Sequence, residues 1–216
     1  MMQLDAIIAG EVVLLDARRA LYWPQRRWLL VADLHLGKAS LMRQAGAALP
    51  RGTTSRDLIR LDELVSAHAP SRLIVLGDLV HGRERADAPW LARFAQWRAG
   101  HAALSITLVA GNHDRHMHVA DLGVEVVNDI DAAPFVLRHA PGAHPTQHVI
   151  AGHVHPMATL REGRLLHRLP AFWLGPARSI LPAFGTLCGL TPRAAEREDQ
   201  VVAVTPGGLV SLGQRL

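Results

Sequence analysis

The feature that most constrains this chain is a unit repeated five times: a short apolar run that stops at a cluster of polar, ligand-type residues. Trp28–Ala32 leads into Asp33-Leu34-His35, and Leu73–Leu76 into Gly77-Asp78. Ile106–Ala110 leads into Gly111-Asn112-His113-Asp114, Phe135–Leu137 into Arg138-His139, and His148–Ala151 into Gly152-His153-Val154-His155. Runs this short and this rich in Val, Leu and Ile read as strands buried on both faces. Arg56–His68 carries Leu58, Leu61, Leu64 and Val65 at helical spacing, and a second helix is expected from Ala88 to Ala99. Alternating strands and helices predict an α/β domain with much parallel pairing. Further strands are expected around Gly10–Leu15, Ala20–Tyr22 and Val201–Val204. Open α/β sheets bind ligands beyond the carboxyl ends of their strands, which is where the polar clusters fall.

The clusters have the chemistry of metal ligands. Cys188 is the only cysteine, so neither an internal disulfide nor a thiolate cage is available. Imidazole, carboxylate and amide oxygen remain, a donor set that suits manganese, iron or zinc. The spacing of two in Asp33-x-His35 puts both side chains on one face of an extended segment, with Leu34 toward the core. Gly77 allows a sharp turn before Asp78. Taken singly, Asp33 reads equally as a helix cap, Asp78 as a turn former, Asn112 as a left-handed residue and His139 as a surface histidine. Five successive strand ends with a ligand at each point instead to a metal centre.

Length and charge set the frame. The 216 residues suit one domain spanning 1–216, and 49% apolar residues suffice for a core. The most hydrophobic late stretch, Ala171–Leu190, is broken by Pro176, Arg178 and Pro182, so no membrane-spanning helix is expected. Asp5, Glu11 and Asp16 interrupt the first apolar residues, unlike an export signal, and a cytoplasmic enzyme is the expectation. Net charge is +4, with Lys38 the sole lysine. Arginine's planar fork suits phosphate oxygens, although a genome-wide arginine preference explains the composition as well.

The ordered set D-x-H, G-D, G-N-H-D, H and G-H-x-H resembles the signature of the calcineurin-like metallophosphoesterases. It covers about Trp28 to His155. The resemblance implies a two-sheet β-sandwich flanked by helices, with two divalent ions at the carboxyl ends of the strands. Asp33, His35 and His155 would hold one ion, and Asn112, His139 and His153 the other, with Asp78 bridging them. Two cations about 3.5–4 Å apart acidify a shared water, the two-metal-activated hydroxide, and clamp phosphate oxygens for in-line attack. His113 would face the substrate as general acid, and Asp114 and His81 are grouped with it as catalytic candidates. Many members have an aspartate three residues after the bridging one, where this chain has His81. The G-D-L-x-H form is similar to the double-strand-break repair nucleases of the superfamily, with His81 contacting the substrate strand.

Residues outside the ligand set narrow the branch. Arg19-Ala20-Leu21-Tyr22-Trp23-Pro24, Val31 to Lys38, Leu49-Pro50-Arg51-Gly52 and Leu181-Pro182-Ala183-Phe184-Gly185 resemble the small bacterial ligase-associated DNA damage response endonucleases. That branch implies a manganese-dependent phosphodiesterase on DNA, single-stranded DNA included, associated with a DNA ligase, a helicase and an exonuclease. Lys38, Arg43 and Arg115 are the candidates for flanking phosphates. A small-molecule enzyme, such as a nucleotide pyrophosphatase or cyclic nucleotide phosphodiesterase, fits the same metal site. A non-catalytic scaffold is the remote alternative. The sequence leaves the oligomeric state open.

Overall fold

The computed structural model describes residues 1–50, 52–82, 88–116 and 119–213; Arg51 of the Leu49–Gly52 motif lies outside the described residues. Its strands form two sheets. The first takes its seven strands in chain order. These are β1 (Gln3–Ile8), β2 (Glu11–Asp16), β3 (Ala20–Trp23), β4 (Trp28–Val31), β5 (Arg72–Leu76), β6 (Ser105–Val109) and β7 (Glu125–Val127). The β1–β4 ribbon is antiparallel, and β4 to β7 are parallel. The second sheet contains β8 (Ile130–Ala132), β9 (Phe135–Leu137), β10 (His148–Ala151), β11 (Met157–Glu162) and β12 (Leu165–Leu174). It is completed by β13 (Arg178–Ile180), β14 (Gln200–Thr205) and β15 (Gly208–Ser211). Its order is β15-β14-β12-β13-β10-β9-β8, with β11 paired to β12 outside that path. The expected sandwich is therefore present.

Alternation explains the layers. In β4 and β5, Leu29, Val31, Leu73 and Val75 face one way and pack with Leu58, Leu61 and Leu64 of α2 (Thr53–His68) and with Trp90 and Phe94 of α3 (Pro89–Gly100). Their neighbours Leu30, Ile74 and Leu76 face the other way, joining Phe135, Leu137, Ile150, Phe172 and Val202 in a core between the sheets. Strands buried on both faces need apolar residues at every position, which is why the runs look continuous rather than alternating. Pro89 opens α3, where its missing N–H costs nothing. A third helix, α1 (Lys38–Gln44), spans 7 residues.

The carboxyl ends of β4, β5, β6, β9 and β10 bring all five polar clusters to one edge of the sandwich. One expectation is corrected here. Asp33 and His35 are not extended; both are left-handed, with φ of 54° and 49°. The chain turns sharply after β4, and its backbone bonds to the loop after β5: Asp33 N–H to Gly77 O, His35 N–H to Asp78 O, and Leu36 N–H to Leu79 O.

Candidate metal centre

Each ligand-type side chain is set by the backbone beneath it. Asp33, His35, Asp78, His153 and His155 all have φ between 49° and 68°. Such a conformation costs a non-glycine residue about 1–3 kcal/mol and persists only where the surroundings over-determine it. Two glycines make the crowding possible. A Cβ at Gly77 would lie 2.0 Å from the His139 ring, and one at Gly152 would lie 2.7 Å from Asp33 Oδ2.

The side chains converge in two groups that share one carboxylate. Asp78 Oδ2 is 3.7 Å from His35 Nε2, while its Oδ1 is 3.6 Å from His139 Nε2. On the first side, His155 Nε2 lies 3.4 Å from His35 Nε2 and 3.7 Å from Asp33 Oδ1. On the second, His139 Nε2 lies 3.0 Å from both Asn112 Oδ1 and His153 Nδ1. Asp33, His35 and Asp78 have ligand atoms close enough for one ion, as do Asp78, His139 and His153.

The hydrogen bonds behind these rings show what the centre can hold. Leu76 O can only accept, so His139 Nδ1, 3.0 Å away, donates to it, and in the neutral ring Nε2 keeps a bare lone pair. That lone pair faces an amide oxygen and a carboxylate. His155 Nδ1 likewise donates to Gly189 O at 3.0 Å, leaving Nε2 bare toward Asp33. Asp33 Oδ1 is buried with no hydrogen-bond partner among the described residues. Acceptors facing acceptors, with an orphaned carboxylate oxygen among them, are unfavourable until a cation sits between them. Divalent ions fit these residues.

Burial favours the neutral form of His35 and His153, whereas Asp33 favours the charged form of His155. Burial, and then the charges of Lys38 and His155, push His35 down to about 2, so it stays neutral. Burial lowers His153 as well. Burial also opposes the charged form of His155, but the Asp33 carboxylate and the Gly189 carbonyl outweigh it and raise this imidazole. Burial pushes the Cys188 thiol up to about 12, and its Sγ–H points at Asp33 O, 3.3 Å away. It is a buried thiol rather than a thiolate ligand.

His81 does two orienting jobs. Its ring Nδ1 lies 3.1 Å from His35 Nδ1, and an N–H there on His35 frees His35 Nε2 for the centre. Burial lowers His81 to about 4, consistent with a neutral ring that accepts. Its main-chain carbonyl accepts from His113 Nδ1 at 2.8 Å, leaving Nε2 as the free nitrogen of His113. The two rings stack at 4.7 Å with an 18° interplanar angle. A peptide carbonyl thus orients the His113 ring.

Asp114, grouped by the sequence with the catalytic candidates, is turned toward the backbone. Its carboxylate accepts three backbone N–H groups, from Asp78 and Gly111 on one oxygen and Val80 on the other, at 2.8–3.2 Å. It is a positioning residue that ties the loop after β5 to the loop after β6. The phosphate candidates separate. Lys38 lines a small cavity beside His35 and Cys188. Arg115 lines an open cleft of about 440 Å³ with Asn112, His139, His153 and Arg138. Arg43 is set apart: it bonds Pro50 O and lines another cleft with Thr53, Trp90 and Arg93.

Sequence reasoning missed the support behind Asp33. Phe184 N–H bonds Ala32 O and Gly185 N–H bonds Asp33 O. That loop is gripped by Arg19, which donates to the carbonyls of Ala183, Phe184 and Gly185, and by Arg60, which donates to Phe184 O. Asp57 accepts from the backbone and hydroxyl of Thr186 at 3.1 and 2.6 Å. Arg19 and the Leu181–Gly185 loop stand out in the sequence as separate segments, but their contact does not.

A two-sheet sandwich with an acceptor-rich cluster of imidazoles and carboxylates at its strand ends is the arrangement expected of a metal-dependent phosphoesterase. The family model of the calcineurin-like phosphoesterases matches residues 26–146, and the chain belongs to that family. Among solved structures, it is similar to "Pseudomonas putida nuclease MPE", with 39% identity over 97% of this chain and 100% of that one, at a TM-score of 0.82. Weaker likenesses are a protein of unknown function, AQ665 from Aquifex aeolicus (18% identity over 59% of this chain and 78% of that one, TM-score 0.42), and Yfce, a phosphoesterase from E. coli (14%, 87% and 99%, TM-score 0.42). No curated protein matches. Among the described residues, no helix is long and apolar enough to cross a membrane.

Proposed function

We propose that the chain is a binuclear metal-dependent phosphodiesterase that cuts DNA internally, working as one domain over 1–216. The observation that carries the reading is Asp78, whose two oxygens face two separate acceptor groups. Asp33, His35 and His155 would hold one ion, and Asn112, His139 and His153 the other. The donors, all nitrogen and oxygen, suit manganese first, with iron or zinc as alternatives. Ions held there supply charge neutralisation at phosphate oxygens and acidify a water for in-line attack.

The chain's own residues do the rest. His113, with Nδ1 donating to the His81 carbonyl, would donate a proton from Nε2 to the leaving alkoxide when the ring is an imidazolium, and is left neutral by that transfer. Arg115, exposed in the cleft next to Asn112, suits a phosphate beside the scissile one, and Lys38 sits on the opposite flank. DNA as substrate is supported by the likeness to a nuclease over nearly the whole chain. A cytoplasmic place in repair, alongside a DNA ligase, a helicase and an exonuclease, belongs to the same reading. The test is a matrix of activity on metal-stripped protein. Manganese, iron, zinc or no metal is crossed with an aryl phosphodiester, cyclic nucleotides, dinucleotides, single-stranded DNA and plasmid. Manganese-dependent cutting of DNA is expected; high turnover confined to one small nucleotide overturns the reading.

A further inference from the structure

The β11–β12 hairpin leaves the body of the molecule at the metal centre. β11 starts two residues after His155, and β12 is 10 residues long, yet only its last part joins the sheet. Ala171 to Leu174 pair with β14, and Trp173 and Leu174 with β13, whereas Leu165 to Leu169 pair with β11 alone. The register fixes the direction of the overhang. Trp173 is level with Ile180, and Ile180 with Ala151, the last residue before Gly152-His153. β12 is antiparallel to β13, so its earlier residues lie beyond the carboxyl end of β10, on the side of the metal centre. At about 3.3 Å per residue the tip reaches about 25 Å past that level, a span of several nucleotides.

The arm is cationic. Arg161, Arg164 and Arg168 are all exposed, and no described carboxylate pairs with them. Among the described residues, the arm's one ion pair, Glu162 with His167 at 3.3 Å, involves none of the three. The cross-strand pairs Arg161↔Leu166 and Thr159↔Arg168 put Arg161 and Arg168 on one face of the ribbon. Leu165 and Leu166 at the tip are 64% and 62% exposed. Three unpaired guanidinium groups suit backbone phosphates, and exposed leucines between them suit the faces of bases. The arm has no comparable use for a substrate confined to the metal centre.

We propose that this hairpin is a DNA-binding arm that holds the strand beside the scissile phosphate, an inference that rests on the DNA reading above. The experiment compares wild type, R161A/R164A/R168A and R161K/R164K/R168K. It measures kcat and KM on single-stranded DNA with manganese from 50 to 200 mM salt, with an aryl phosphodiester too small to reach the arm as reference. Three phosphate contacts to a single strand carry a salt slope of about 2, so wild type should lose about 20-fold more in kcat/KM than the alanine variant over that fourfold salt range. The alanine variant should show a raised KM on DNA at low salt with kcat nearly held, and the lysine variant should recover most of the loss. An alanine variant with wild-type KM and salt slope on DNA overturns the arm. Wild type that hydrolyses the aryl ester but neither binds nor cuts DNA overturns the reading on which the arm depends.

Discussion

The two halves of the metal centre are built differently. In the first, Asp33 and His35 are 0% and 5% exposed, and the Asp33 backbone is bonded to residues about 150 positions later in the chain. In the second, Asn112 and His153 are exposed and look into an open cleft; only His139 is buried. The difference teaches where rigidity is spent. The buried half is held from behind by the Ala183–Gly189 loop, Arg19, Asp57 and Arg60, whereas the open half is held mainly by the ends of β6, β9 and β10. The open side faces the cleft lined by Asn112, Arg115, His139 and His153, and the closed side supplies the fixed reference.

The change that should break the comparison altogether is Asp78→Asn, because this carboxylate belongs to both halves. Hydrolysis of an aryl phosphodiester should fall by at least about 10³-fold, as when a centre loses its main charge stabiliser. Near-normal turnover with two ions retained would show that the halves do not share a ligand. His113→Ala should cost about 10²–10⁴-fold on esters with poor leaving groups, with metal content unchanged. Equal losses on good leaving groups, read from a leaving-group series, would remove the proton-donor role.

The halves should also separate in metal affinity. Chelator-driven loss of manganese, followed by stopped flow, should be biphasic, with Asn112→Ala accelerating only the fast phase. Asp33→Ala should abolish the slow one; a uniform effect of both variants would mean the halves are equivalent. The smallest effect is expected for Asp57→Ala, which loosens the loop behind Asp33 without touching the centre. Its slow-phase affinity should drop by about 10- to 100-fold, the usual cost of losing an outer partner of a metal ligand. Tm without metal, compared in the same variant, distinguishes this from plain unfolding.

Much of the architecture was legible in the sequence because buried parallel strands write themselves as apolar runs, and the ligand clusters mark their ends. Arg56–His68 was read as a helix for its periodic leucines, though α2 begins at Thr53. Helix α1 has only 7 residues, too few for periodicity to register. Strand β12 escaped notice because its first half faces solvent on both sides and contains Leu165, Leu166 and Arg168 where a buried strand would be apolar throughout. At the centre, the ligand identities could be read, but their left-handed backbone could not, since aspartate and histidine do not announce it as glycine does. Nor could the grip of Arg19, Asp57 and Arg60 on the Ala183–Thr186 backbone, which depends on contacts between distant segments that no local pattern encodes.

That closing loop has a consequence for synthesis. A nascent polypeptide that has emerged only as far as His155 already contains every candidate ligand, yet it lacks the Gly185 amide that bonds Asp33 and the Gly189 carbonyl that turns His155. The candidate centre is closed by a segment that follows every candidate ligand in the chain, so a product stopped between His155 and Gly185 would carry the full ligand set without the means to assemble it.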